Sequence, residues 1–146
     1  MACENSQKEN PVLDKIEITS ASAQGFGADD YGMKKFVMAF LKAGPNRDHT
    51  PEEAQALQME HLKNIQRMAD EGTLALAGPF LDGGELKGIY IFNVETIEEA
   101  RTLTNTDPAI KAGNLVMELK EWYGSAGLVA INDIHKIIST KNIAED

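Results

Sequence analysis

Lys35-Phe36-Val37-Met38-Ala39-Phe40-Leu41, closed by Gly44-Pro45-Asn46 and followed by Thr50-Pro51-Glu52-Glu53, decides the fold of this chain. The unbroken apolar run from Phe36 to Leu41 puts apolar groups on both faces of an extended segment, the pattern of a central strand covered on both sides. Gly44-Pro45-Asn46 ends it. Thr50 then caps a helix, Pro51 fits the first turn, where its missing N–H costs nothing, and Glu53 completes a capping box. The spacing predicts a helix continuing to Glu71 and stopping at Gly72, which tolerates a left-handed cap conformation.

Working outward, residues 73–77 read as a second strand closed by Gly78-Pro79, and residues 87–94 as a third. Gly83-Gly84 makes the turn between them, so the two pair as a hairpin. Thr96-Ile97-Glu98-Glu99 repeats the capping box and opens a second helix to about Leu103, which Asp107-Pro108 breaks. Residues 109–112 add one turn before Gly113, and residues 115–123 form the last strand. The order is β-α-β-β-α-β. Right-handed crossovers place both helices on one face of a four-stranded antiparallel sheet, a ferredoxin-like α+β fold. Residues 1–32 are a polar N-terminal arm or linker, interrupted by the patterned piece Val12 to Ile18; residues 33–124 are the folded domain; residues 125–146 are a C-terminal extension. The other sheet face carries no helix, yet its strands are apolar there too. A second subunit would cover it, giving a homodimer; the tail, with Leu128-Val129-Ala130-Ile131 and then Ile134, Ile137 and Ile138, would cover it equally well. The sequence leaves both open.

The 146 residues carry 23 acidic and 14 basic side chains, a formal net charge of -9. Nucleic acid requires a basic track to neutralise its phosphates, and none is visible. No apolar run approaches the ~18 residues that span a bilayer. The cytoplasm is the default location. Cys3, preceded by Ala2 and followed by a polar stretch, also fits the lipidated residue of an exported lipoprotein whose signal segment is absent from this sequence.

At ~100° per residue, Ala54, Leu57, Ile65 and Met68 lie within about 40° of His61 on the first helix. His61 thus occupies the middle of the apolar stripe that meets the sheet. A buried ring there needs a partner or costs about 1–3 kcal/mol. A carboxylate would hold one tautomer, orient the ring and favour its protonated form. A core histidine satisfied by backbone or by a neighbouring carboxylate answers the same pattern. Arg47, in the loop before the first helix, is placed to clamp a substrate carboxylate near that helix N-terminus, although an exposed Arg beside Asp48 is more often simply solvated. Pro79 and Phe80, after Gly78, place a ring at the pocket edge, and a turn that ends the strand explains them equally well. His49 reads as a surface residue and His135 as incidental. The three histidines are scattered without HxxxH or CxxC spacing, so no metal is expected. Gly83, Gly84 and Gly88 lack the context of a phosphate loop, and no cofactor is expected.

Glu60-His61-Leu62-Lys63, Asp70-Glu71-Gly72-Thr73-Leu74 and Ala77-Gly78-Pro79-Phe80 resemble the first helix and second strand of the YciI-like (YCII-related) family. Thr106-Asp107-Pro108-Ala109 with Lys111-Ala112-Gly113 resembles its second signature. Trp122 stands where many relatives carry an aromatic residue, although the preceding Pro is Glu121 here. The resemblance spans residues 35–123. It implies a dimeric α+β barrel with His61 and Asp107 as the working pair, and relatives of this fold that act on aromatic breakdown products by isomerase or dehydrochlorinase chemistry. The expectation is a small dimeric enzyme using a His–Asp pair for proton transfer, of isomerase, lyase or dehydrochlorinase type, on a small organic acid or ring compound. Its pocket would lie between both helices and the sheet. The alternatives are a non-enzymatic small-ligand binder and a structural interaction domain.

Overall fold

The computed structural model describes residues 25–145; Cys3 and the piece from Val12 to Ile18 lie outside the described residues. Strand β1 (Met33–Ala43) is the centre of a four-stranded antiparallel sheet ordered β2-β3-β1-β4. It pairs with β3 (Leu86–Phe92) on one side and β4 (Leu115–Ser125) on the other. Its apolar run does what an inner strand requires. Val37, Ala39 and Leu41 enter the core on the helix side, while Phe36 packs on the opposite side. β1 and β4 are each two residues longer at the C-terminal end than the composition predicts, because full pairing from Met33↔Ser125 to Ala43↔Leu115 satisfies their backbone groups past the apolar stretch.

Helix α1 (Pro51–Asp70) begins as its sequence dictates. Thr50 Oγ1 accepts from the Glu53 N–H at 3.2 Å, and Glu53 Oε2 accepts from the Thr50 N–H at 3.3 Å. Gly72, with φ +79°, ends it. Thr73 N–H donates to Met68 O and Gly72 N–H to Ala69 O, which satisfies two of the last carbonyls and turns the chain into β2 (Leu74–Pro79). Helix α2 (Ile97–Thr104) opens on the second capping box, formed by Thr96 and Glu99. A short helix α3 (Pro108–Lys111) follows, with Asp107 as its N-cap. The core between helices and sheet is built on Val37, Leu41, Met68, Leu74, Tyr90 and Phe92.

The second sheet face is where the two open alternatives meet. After β4 the chain forms a 3₁₀ turn (Ala126–Ala130), and Leu128 and Val129 pack against Phe36, Ala75 and Ile91. The tail therefore covers that end of the face itself. Helix α4 (Ile131–Ile138) then lies along the outer edge of the sheet, where Asn132 Nδ2 donates to Leu74 O at 2.8 Å. That bond caps the exposed edge of β2, which would otherwise offer unpaired backbone groups to another chain. Among the described residues no helix is long and apolar enough to cross a membrane.

Candidate functional site

His61 lies midway along α1 and points at the sheet; the residue is 8% exposed. Its Nδ1 is 2.6 Å from Asp107 Oδ2. Asp107 is fully buried, and its other oxygen accepts the Ala109 N–H at 2.9 Å. One carboxylate thus starts α3 and holds the imidazole. With both oxygens occupied by donors, Asp107 accepts from Nδ1–H, so the neutral ring presents the Nε2 lone pair on its far side.

Tyr90 faces that nitrogen. Its Oη is 3.4 Å from Nε2, and the two rings stack with centroids 6.2 Å apart. The contact is long against the ~2.8 Å typical of a hydroxyl donor, so it engages Nε2 only weakly. Burial, reinforced by the nearby Asp107 charge, pushes the Tyr90 phenol far above its ordinary value of 10.0. The hydroxyl therefore stays a neutral donor. Because the folded-state value is raised, the associated stability is complete below pH ~10 and is lost as pH climbs above it, where the unfolded phenol ionises and the folded one does not. Tyr90→Phe is expected to flatten the alkaline fall in stability above pH ~10, read from urea midpoints across pH. An alkaline limb identical to wild type would contradict this placement.

A second latch lies beside the first. Asn64, one turn after His61, donates from Nδ2 to Thr106 Oγ1 at 3.2 Å, and Arg67 Nη2 reaches both Asn64 Oδ1 and Thr106 Oγ1. Thr106 Oγ1 in turn donates to Leu103 O at 2.6 Å. These bonds tie the segment carrying Asp107 to α1, fixing the carboxylate before it meets the ring. Sequence reasoning missed this latch, although Asn64 on the same helix face as His61 was a visible signal.

A cavity of about 330 Å³ opens at His61. Its walls are Gln58, Leu62 and Ile65 from α1, Leu41, Ala77, Tyr90 and Leu115 from the sheet, the strand ends at Gly78, Pro79, Lys87 and Gly88, and Ile143 from the tail. The wall expected from α2 is absent. That helix is only two turns long and packs towards β4, and the tail supplies the outer side instead. Gly88 is required at the rim, since a Cβ there would meet Gly78 O at 2.7 Å.

Of the residues singled out from sequence, the fold brings together His61, Asp107 and Pro79. Arg47 does not join them. Its Nη1 donates to Asn114 O at 2.9 Å, pinning its loop to the start of β4. Phe80 lies past the end of β2, 46% exposed and outside the cavity wall. His49 is not the surface residue its loop position implied. Its side chain is only 15% exposed, tucked beside Glu53, and Nε2 has no partner among the described residues. Tyr90 went unnoticed in the sequence, though the alternation Gly88, Tyr90, Phe92 marks it as a helix-facing strand residue whose hydroxyl needs a partner. Among the described residues no group of three or more His, Cys, Asp or Glu side chains is arranged to hold a metal ion.

An α+β domain with a buried His–Asp pair facing a cavity is the class that the fold and site define. The chain belongs to the YCII-related domain family, whose pattern matches residues 36–135. It is 31% identical over 62 residues to the uncharacterized protein YjpA of Bacillus subtilis (strain 168), a match covering 42% of this chain and 71% of that protein. Among solved structures it is similar to the 5-chloro-2-hydroxyhydroquinone dehydrochlorinase TftG of Burkholderia phenoliruptrix AC1100, in complex with 2,5-dihydroxybenzoquinone. That likeness has 19% identity and a TM-score of 0.41, covering 61% of this chain and 93% of the other.

Proposed function

We propose that this protein is a small acid/base enzyme in which His61 Nε2 moves a proton to or from a small organic acid or ring compound bound in the adjacent cavity. The observation that carries the reading is the asymmetry of the imidazole. Nδ1 is committed to buried Asp107 at 2.6 Å, whereas Nε2 has only a long contact to Tyr90, and both rings line the cavity. In the forward step Nε2 takes a proton from a substrate C–H or O–H, and Asp107 stabilises the imidazolium that forms. In the return step the imidazolium gives the proton back at another atom, or a leaving group departs with the electron pair. These are isomerase and lyase outcomes of one proton transfer. Tyr90, held neutral by burial, is available to donate to a substrate oxygen that gains charge.

The walls limit the substrate. A cavity of about 330 Å³ lined largely by Leu41, Leu62, Ile65, Ala77 and Leu115 holds one ring, with Gln58 and Lys87 as polar groups at the margin. The experiment is a panel of small ring ketones, lactones and phenols incubated with the protein in D₂O, with deuterium incorporation followed by NMR. Incorporation that depends on His61 supports catalysis. Binding without incorporation supports the second reading, favoured by the Tyr90 contact to Nε2, in which His61 only hydrogen-bonds a ligand.

We also infer a homodimer formed through the part of the second sheet face that the tail leaves open. Phe40 is only half-buried there, and Val116 and Leu86 are exposed. Lys42, Glu118 and Lys120 border the same patch, with Lys42 3.2 Å from Glu118, so a second copy would bury the apolar centre inside a charged rim. Sedimentation is expected to give the mass of two chains, with Phe40→Glu shifting the protein to one. A single-chain mass at all micromolar concentrations would overturn the inference.

A further inference from the structure

The C-terminal tail has a second role beyond covering the sheet. α4 is moored beside α1 and β2 by the Asn132 bond to Leu74 O and by Lys136 Nζ, 3.7 Å from Asp70 Oδ1. From that mooring the chain runs on towards the cavity mouth. Asn142 folds the last stretch into a turn, accepting the Ala144 N–H on Oδ1 at 3.0 Å and the Glu145 N–H on its carbonyl at 3.1 Å. The turn buries Ala144, 6% exposed, and presents Ile143 to the cavity that His61 lines. The turn thus pairs a small residue seated in the fold with a large one that stays 69% exposed. That is what a wall requires: an anchor that seats the turn and a side chain standing at the opening. The wall lies beyond residues 36–135, which the family pattern matches.

We propose that residues 139–145 form a strap whose Ile143 is the outer wall of the His61 cavity and selects ligands by size, admitting those with a flat apolar end opposite Ile143 and a polar end at His61. The proposal rests on the cavity being the working site. Its anchor is Ala144 and its gauge is Ile143. Leu62 and Ile65 line the same cavity as Ile143, so the apolar end of a ligand lodged among them is taken out of water to its advantage.

The test needs no substrate. Diethyl pyrocarbonate acylates a histidine nitrogen that it can reach, and peptide mass spectrometry reads each histidine separately. In the full chain, Ile143→Gly and Ala144→Glu are expected to speed acylation of His61 by about threefold or more, since opening of a local segment governs access to a covered site. Ile143→Trp is expected to slow it. His49 at wild-type rate reports an intact fold in each variant. His61 acylated at one rate in all four proteins, or in none of them, would overturn the strap. The readout is independent of turnover, so altered rates without any deuterium incorporation would keep the strap and remove only the catalytic reading.

Discussion

His61→Ala is expected to lower His61-dependent deuterium incorporation by about 10²–10⁴-fold, the usual contribution of a positioned acid/base side chain. The size follows from geometry. Nε2 is the one basic atom of the cavity held by a buried partner on its other side, and the remaining polar wall groups, Gln58, Lys87 and the neutral Tyr90 phenol, do not replace it. Stability should respond far less, because removing the ring enlarges a cavity that already exists rather than opening a sealed core. The substitution does strand Asp107 Oδ2, so a moderate fall in melting temperature belongs to the same expectation. An alanine variant that keeps its exchange rate on every responsive compound would remove His61 from the chemistry.

Asp107 carries the opposite balance. Asp107→Ala takes a fully buried carboxylate from two donors, the ring Nδ1–H and the Ala109 N–H that starts α3. Loss of an N-cap costs about 1 kcal/mol and an unpaired buried donor about 1–3 kcal/mol, so a total of roughly 2–4 kcal/mol is expected. For a chain of this length that lowers Tm by about 6–15 °C. Asp107→Asn separates structure from chemistry. The amide oxygen still caps α3, but an amide N–H turned to Nδ1 favours the tautomer whose proton sits on Nε2. Deuterium incorporation should then fall by about 10²–10⁴-fold while stability falls less than in the alanine variant. Calorimetry and the exchange assay on both variants check this. Equal losses of stability in the two, with exchange retained, would make Asp107 a cap and nothing more.

Local physics made much of the fold legible. The boxes Thr50/Glu53 and Thr96/Glu99, the stop at Gly72 and the two-faced run Phe36 to Leu41 are decided by near neighbours, and each appears where its residues require. The tail was less legible for the converse reason. α4 is a short amphipathic helix with no side-chain cap, moored by Asn132 to Leu74 O, a partner 58 residues away. The cavity wall was misassigned to α2 because helix length was read without the angle of packing, and Ile143 carries no local signal at all. At the site, helical spacing put His61 on the buried face, where it lies, but named no partner. Asp107 came from the family's motif. Its segment is tied to α1 by the Asn64–Thr106–Arg67 latch, a tertiary contact that periodicity does not encode.

The proposed chemistry requires Nδ1 of His61 to be committed to Asp107 and Nε2 to be the free base in the cavity. Long-range ¹H–¹⁵N correlation NMR of the neutral histidine rings reads the proton's position directly. The account predicts a neutral ring protonated on Nδ1, with a strongly hydrogen-bonded proton that moves or disappears in Asp107→Asn. A ring protonated on Nε2 in the wild-type protein, donating to Tyr90 Oη, would leave no base facing the cavity and would contradict it.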